Sequence, residues 1–319
     1  MKTVLGIDIG ATKIRATVSG DDLRITDPVV KRSPAVADPD VFTAELATLV
    51  ERACSEAGLT PAAISAVGVG SAGPIKRTPE AVLNPPNLPV DNLPIERAVR
   101  AAVDTDQVRV LNDAVCGAVA EHEFAGGGTD DMVYLTVSTG LGAGVIVDGR
   151  PLGGNTGEVG HLTVDPGMTM ECGCGGAGHW EAYCSGVNLP RYARHLSQHG
   201  DHGTALSTDG TLSAADIFAA APDDELAAAT LAQFDHWNLI GLADVVHAFA
   251  PSYVALGGSV VLHNRDRVLT PLRERLSDHV MVDPPAIGVT EFGDEIVLKG
   301  ALAVAADQVS PGASPSPQL

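Results

Sequence analysis

The segment GIDIGATKIRA (residues 6–16) decides how the chain is organised. Two β-rich runs, 3–9 (TVLGIDI) and 13–19 (KIRATVS), flank the short turn Gly10-Ala11-Thr12, so they pair as an antiparallel hairpin. The arrangement returns about 130 residues later, with MVYLTVS (132–138), the turn Thr139-Gly140-Leu141-Gly142 and AGVIVDG (143–149). Two hairpins with Gly/Thr tips indicate a duplicated α/β architecture with one hairpin in each lobe. At the first tip Gly10 lets the backbone turn tightly, so that successive N–H groups and the Thr12 hydroxyl can face a phosphate while Lys13 adds positive charge. Asp8, at the strand end, is placed to hold Mg²⁺ through water. Facing hairpins would clamp the β- and γ-phosphates of a nucleotide from both sides. Neither turn runs directly into a helix, which separates both from Walker and Rossmann loops.

Outward from the hairpins, a third strand is expected within 22–31 and a helix over about 38–58, with Val41, Leu46, Leu49, Val50 and Ala53 at helical spacing. A strand at 64–70, a long Pro-rich loop, a helix near 94–102 and a strand at 107–111 lead to Asn112-Asp113 and an Ala-rich helix. Further helices are expected at 187–199, 213–220, 223–249 and 264–279, with a buried strand at 252–257 ending in Gly257-Gly258-Ser259. Residues 309–319 (VSPGASPSPQL) read as a disordered tail.

The chain has 319 residues, 45% hydrophobic and 19% charged, which excludes global disorder and suits two domains of ordinary size. Its apolar stretches are broken well short of a membrane span and no secretory signal is apparent, so a soluble cytoplasmic protein is expected. The net charge of −20 opposes contact with nucleic acid or anionic lipid. Only five residues are Lys, and Asp outnumbers Glu 26 to 14. Beside ordinary acidity stands a sharper reading, a protein of a salt-rich, halophilic cytoplasm where screening relieves self-repulsion.

Together with SAGPI (71–75), NPPNLP (84–89), LNDA (111–114), LTVSTGLGAGVIVDG (135–149), GEVGH (157–161), CGCGGAGHWEAYCSG (172–186) and LGGSV (256–260), the opening motif resembles the ROK family of repressors and sugar kinases. These segments follow family order along nearly the whole chain. The resemblance implies the two-lobed actin-like sugar kinase ATPase fold with a central cleft, ATP·Mg²⁺ as phosphoryl donor and a hexose as acceptor. The expected lobes are 1–113, joined by 299–308, and 114–298, which carries a zinc loop at 157–181.

On position alone Asp113 is a helix N-cap. The matching NDA motif implies instead a general base that takes the proton of the sugar 6-hydroxyl. The resemblance places Glu158, His161 and Glu181 at the sugar with Gly73, Asn112 and Asp113, and Asn87 as a looser candidate. Carboxylates and imidazole suit that task, because they can fix neighbouring hydroxyls by hydrogen bonds. Asp8, Gly10, Ala11, Thr12, Lys13, Thr139 and Gly140 are the expected nucleotide contacts, and only the family register adds Gly257 and Gly258.

Cys172, Cys174 and His179, with His161 upstream, have the spacing of a closed tetrahedral Zn²⁺ site. The family has a third Cys where this chain has His179, which preserves a zinc ligand; Cys184 is the competing candidate. The remaining Cys54 and Cys116 read as core residues, and no disulfide framework is expected. Zinc would brace the loop between Glu158 and Glu181, so its removal is expected to weaken sugar binding more than ATP binding, whose hairpins lie elsewhere in the chain.

The expected activity is hexose phosphorylation, glucokinase first, with fructose, N-acetylmannosamine or N-acetylglucosamine as other acceptors and ADP or polyphosphate as other donors. A sugar-responsive repressor or a non-catalytic sugar binder is the rival. The first needs a DNA-binding domain ahead of Asp8, and the second is expected to lack Asp113 or the glycine hairpins. A homo-oligomer, dimer or tetramer, is expected.

Overall fold

A computed structural model describes residues 2–10, 12–33, 38–73, 75–76, 81–83, 92–125, 129–153 and 157–309. In chain order the elements are β1 (Val4–Ile9), β2 (Lys13–Ser19), β3 (Val29–Arg32), α1 (Pro39–Glu56), β4 (Ala66–Ser71), β5 (Ile75–Lys76), β6 (Ala81–Leu83), β7 (Asn92–Leu93), α2 (Ile95–Ala102), β8 (Val108–Asn112) and α3 (Asp113–Phe124). They continue as β9 (Met132–Val137), β10 (Leu141–Val147), β11 (Arg150–Pro151), α4 (Glu181–Cys184), α5 (Leu189–His199), α6 (Ala214–Ala220), α7 (Glu225–Phe249) and β12 (Tyr253–Gly257). The last elements are α8 (Ser259–His263), α9 (Arg265–Arg275), β13 (Ala286–Val289) and α10 (Ile296–Gln308).

The chain forms two compact units. The first contains residues 1–128, 149–157 and 294–319; the second contains 129–148 and 158–293. Relative to the expected boundary at 113/114, the first unit reaches further and includes α3. The reason is α10, which packs along α3 so closely that a side chain at Gly300 would collide with the Cys116 carbonyl. That helix starts at Ile296 rather than near Lys299.

In the first unit the sheet order is β3-β2-β1-β4-β8, with β1, β4 and β8 parallel. Leu5, Ile7, Ile9, Val67 and Val69 bury one core with Phe42, Leu46 and Leu49 of α1. Helix α1 starts where its pattern predicts: the Asp38 side chain accepts from the Asp40 amide at 2.9 Å and Pro39 occupies the first turn. The third strand is shorter than expected, only 29–32, because Leu23 and Asp27 take positive φ (49° and 36°) and break any extended run before it.

In the second unit the strands run β10-β9-β12-β13, β9 pairing antiparallel with β10 and parallel with β12. Helix α7 is capped by Asp224 through the Ala227 amide (3.0 Å) and buries Leu226, Leu231, Phe234, Leu242 and Val245. Among the described residues no helix is long and apolar enough to cross a membrane. The tail beyond 309 lies outside the described residues, as do Ala11 and Asn87.

Candidate active site

Parallel pairing lines up three strand ends of the first unit: Ile9 stands opposite Ser71, and Ser71 opposite Asn112. The residues that follow, Gly10, Ala72-Gly73 and Asp113, therefore lie at the same end of the sheet, the usual ligand side of parallel strands. The hairpin tip is closed by Gly10 N donating to Lys13 O (3.0 Å) and braced by Ser33, whose Oγ donates to Gly10 O at 2.7 Å. Thr12 is exposed and Lys13 half-buried, with Lys13 Nζ 3.6 Å from Asp294 Oδ2.

Asp8 is buried and does not stand alone. Arg15, its register partner across the hairpin, gives Asp8 Oδ2 two hydrogen bonds, from Nε at 2.9 Å and Nη2 at 2.5 Å. The same Nη2 also donates to the Asp294 carbonyl at 2.6 Å. Burial pushes the Asp8 carboxyl up, and the Arg15 guanidinium opposes that rise. Neither Arg15 nor Asp294 was anticipated from sequence; the observed register, Ile9 opposite Ile14, is one residue longer across the turn than the sequence reading.

At the end of β8, Asn112 is the N-cap of α3, its Oδ1 accepting from Ala114 N at 2.8 Å. Asp113 is the first helical residue, half-buried, and its own Oδ1 also lies 2.8 Å from that amide.

In the second unit, Ser138–Gly140 and Gly258-Ser259 follow the parallel strands β9 and β12, and Ser138 Oγ meets Ser259 Oγ at 3.0 Å. The turn is shorter than expected, since Leu141 and Gly142 already pair with Val137 and Thr136 in β10. Gly258 has φ +85°, and a side chain there would collide with the Val137 carbonyl. Packing beneath the turn thus explains this glycine without a ligand. Helix α8 begins directly after it, an element the sequence reading did not include.

Four side chains of the loop after β11 converge. His161, Cys172, Cys174 and His179 each offer an atom within 4.8 Å of all the others. His161 Nδ1 is 3.7 Å from Cys172 Sγ, and His179 Nδ1 is 3.2 Å from Cys174 Sγ. Tetrahedral zinc with Cys and His ligands needs donor separations of about 3.3–3.8 Å, so this set fits the ion with small adjustments. Cys184 is not part of it: its thiol is buried and donates to Phe234 O at 3.7 Å. The other nitrogen of His161, Nε2, lies 3.7 Å from Glu158 Oε2. One imidazole therefore joins the cluster to a sugar-candidate carboxylate. Burial raises the Glu158 carboxyl, His161 works against this and Glu181 reinforces it.

The scaffold beneath the loop is polar and was not read from sequence. Asp165 accepts from Gly167 N (2.8 Å), Thr169 N (2.9 Å) and Tyr183 Oη (2.5 Å), and Trp180 Nε1 donates to Asn238 Oδ1 at 2.9 Å. Burial raises the Asp165 carboxyl, but the bonds from Tyr183, Thr169 and Gly167 outweigh it and bring it to about 2. Glu181 Oε2 accepts from Leu141 N at 2.9 Å, so the second hairpin touches the cluster loop rather than lying elsewhere.

The profile of the ROK family matches residues 4–308. The chain belongs to the ROK family. Glucokinase of Pyrobaculum calidifontis is 32% identical over 321 residues, 96% of this chain and 95% of that one. N-acetylmannosamine kinase of Citrobacter koseri is 32% identical over 310 residues, 95% and 98% of the two chains. The crystal structure of a ROK family glucokinase from Streptomyces griseus in complex with glucose and AMPPNP superposes with TM-score 0.76 at 31% identity, covering 95% of this chain and 99% of that chain. The actin-like sugar kinase architecture is thus that of ROK relatives.

Proposed function

We propose that this ROK protein is an ATP-dependent hexose kinase that phosphorylates the 6-hydroxyl of glucose. The observation that carries the reading is the end of β8: beside the cap Asn112, the half-buried Asp113 opens α3 at the end of the sheet where β1 and β4 also finish. As the sugar oxygen bonds to the γ-phosphorus, Asp113 takes its proton; the bond between the γ-phosphorus and the bridging oxygen breaks, and ADP departs with the electron pair. Glu158, His161 and Glu181 accept and donate hydrogen bonds to sugar hydroxyls, which orients the attacking oxygen. Gly10, Thr12, Lys13, Thr139 and Gly140 receive the phosphates. Asn87, Gly73, Gly257 and Gly258 complete the proposed substrate and nucleotide contacts.

Asp8, whose Oδ2 is taken by Arg15, would hold Mg²⁺ through water on its other carboxylate oxygen, and the ion would supply charge neutralisation to the nucleotide phosphates. Zinc on His161, Cys172, Cys174 and His179 would be structural, since four protein ligands leave no open position for water. The reading includes a cytoplasmic homo-oligomer and no nucleic-acid or membrane partner.

An N-acetylmannosamine acceptor is the second reading, favoured by the 32% identity to that kinase over 95% of the chain. A coupled assay across glucose, fructose, N-acetylmannosamine and N-acetylglucosamine, each with ATP, ADP and polyphosphate, decides between them. Turnover confined to N-acetylmannosamine would replace glucose, and no turnover with any pair would overturn the kinase reading.

A further inference from the structure

The second hairpin and the His/Cys loop meet at one carboxylate. Glu181 opens α4 directly after Trp180, whose fully buried ring and bond to Asn238 hold the backbone at this point. From there Oε2 accepts the Leu141 amide at 2.9 Å, at the exit of the Ser138–Gly140 turn. Oε1 lies 3.9 Å from Cys172 Sγ. The fit around the carboxylate is close: a Cβ on Gly140 would stand 2.7 Å from the same Oε2, and one on Gly160 would stand 3.4 Å from Glu181 Cβ. Gly140 thus leaves the space that this carboxylate fills, whereas Gly160 makes room for the Leu141 carbonyl, with which its Cβ would collide.

We propose that Glu181 is a positioning residue for the Ser138–Gly140 turn. Its Oε2 holds the Leu141 amide and so the shape in which the turn meets nucleotide phosphate, while the rest of the side chain ties that turn to the Cys172 loop. A hydrogen bond to a charged acceptor is strong enough to order a short turn. The role rests on reading this turn as phosphate-binding, and it goes beyond the hexose contact given to Glu181 above.

The test uses the full chain without hexose and reads two quantities: affinity for a non-hydrolysable ATP analogue, by calorimetry, and hydrogen exchange at the Leu141 amide. Glu181→Ala should weaken analogue binding about tenfold and speed Leu141 exchange. Glu181→Gln keeps an acceptor oxygen, so its analogue affinity should stay within about threefold of wild type with the amide still protected. If Glu181→Ala does not fold, Gly140→Ala, whose methyl displaces the carboxylate, should give the same rise in exchange. Unchanged exchange and unchanged analogue affinity in a folded Glu181→Ala that has lost hexose binding would confine Glu181 to the hexose and overturn the proposal. So would a Glu181→Gln as impaired as Glu181→Ala. Failure of the underlying reading looks different: the wild-type protein itself would then bind no analogue, before any variant is made.

Discussion

Asn112 takes the capping position of α3 and leaves Asp113 as its first helical residue, with both side-chain Oδ1 atoms 2.8 Å from the Ala114 amide. If Asp113 is the proposed base, substitutions at the two adjacent residues should have different readouts. Asn112→Ala should cost about 1 kcal/mol of stability through the lost cap. Asp113→Asn should leave the melting temperature nearly unchanged, because the amide is close to isosteric and the cap remains. As the proposed base, however, Asp113 should take about 10²–10⁴ of kcat with it. Steady-state kinetics with glucose and ATP check this, and an Asp113→Asn enzyme with a tenth of wild-type kcat would return Asp113 to a structural role.

The Asp8–Arg15 pair makes a second, pH-dependent prediction. Breaking a buried pair from one side costs about 3–5 kcal/mol, because the remaining charge has no counterion. Arg15→Met should therefore be strongly destabilised at neutral pH. The sign with pH follows from the raised Asp8 carboxyl. A carboxyl whose folded pKa exceeds its unfolded value favours the fold below the unfolded pKa, and that contribution is lost as pH rises through the folded value. Urea unfolding of Arg15→Met should show stability recovering as the pH is lowered through the raised Asp8 pKa, and Asp8→Asn added to Arg15→Met should remove the recovery.

Asp165 predicts the opposite slope. Its carboxyl, brought from 3.8 to about 2 by Tyr183, Thr169 and Gly167, lends stability above the unfolded pKa that is lost as pH falls from about 4 toward 2. The full contribution is about 2 kcal/mol. Between pH 6 and pH 3 wild-type protein should lose about half of that, roughly 1 kcal/mol, more than Asp165→Asn, the rest following as pH falls through about 2. Parallel curves for the two would show that the network does not hold the folded carboxyl down.

Both hairpins were legible because β-rich runs flank glycine turns at 3–19 and 132–149. The second turn was read two residues too long: Leu141-Gly142 look like turn residues, but Gly142 pairs with Thr136 inside the strand. The Asp8–Arg15 pair was missed because the turn read as Gly10–Thr12 sets Asp8 opposite Ile14, whereas the hairpin pairs Ile9 with Ile14 and so Asp8 with Arg15. The contacts of Glu181 with Leu141 and of Asp165 with Tyr183 carry no such local signal. They join residues 40 and 18 apart in sequence through a loop whose path depends on tertiary packing. Elements as short as α8 and β13 show too few residues for a period to emerge.

The acidic surface bears on salt. With net charge −20, self-repulsion is weakly screened at 0.1 M, where the Debye length is about 10 Å, and largely screened at 1 M, where it is about 3 Å. If the chain is adapted to a saline cytoplasm, its melting temperature should rise markedly from low to multimolar KCl. A flat profile would remove that adaptation and leave the kinase reading untouched.

The geometry of the His/Cys loop sharpens what substitution at His179 should do. Zinc on His161, Cys172, Cys174 and His179 should be present at one equivalent per chain. His179→Cys should keep the metal, since thiolate and imidazole both complete a tetrahedral site. His179→Ala should lose it. Cys184 cannot take over without leaving its buried place against Phe234, because its thiol sits in the core with Trp180 and α7. Metal loss should also reach the second hairpin through Glu181, so that chelation loosens the Leu141 amide along with the sugar-facing side chains. Elemental analysis of the purified variants decides: well under one equivalent of zinc in the wild type, or full occupancy in His179→Ala, would defeat this ligand set.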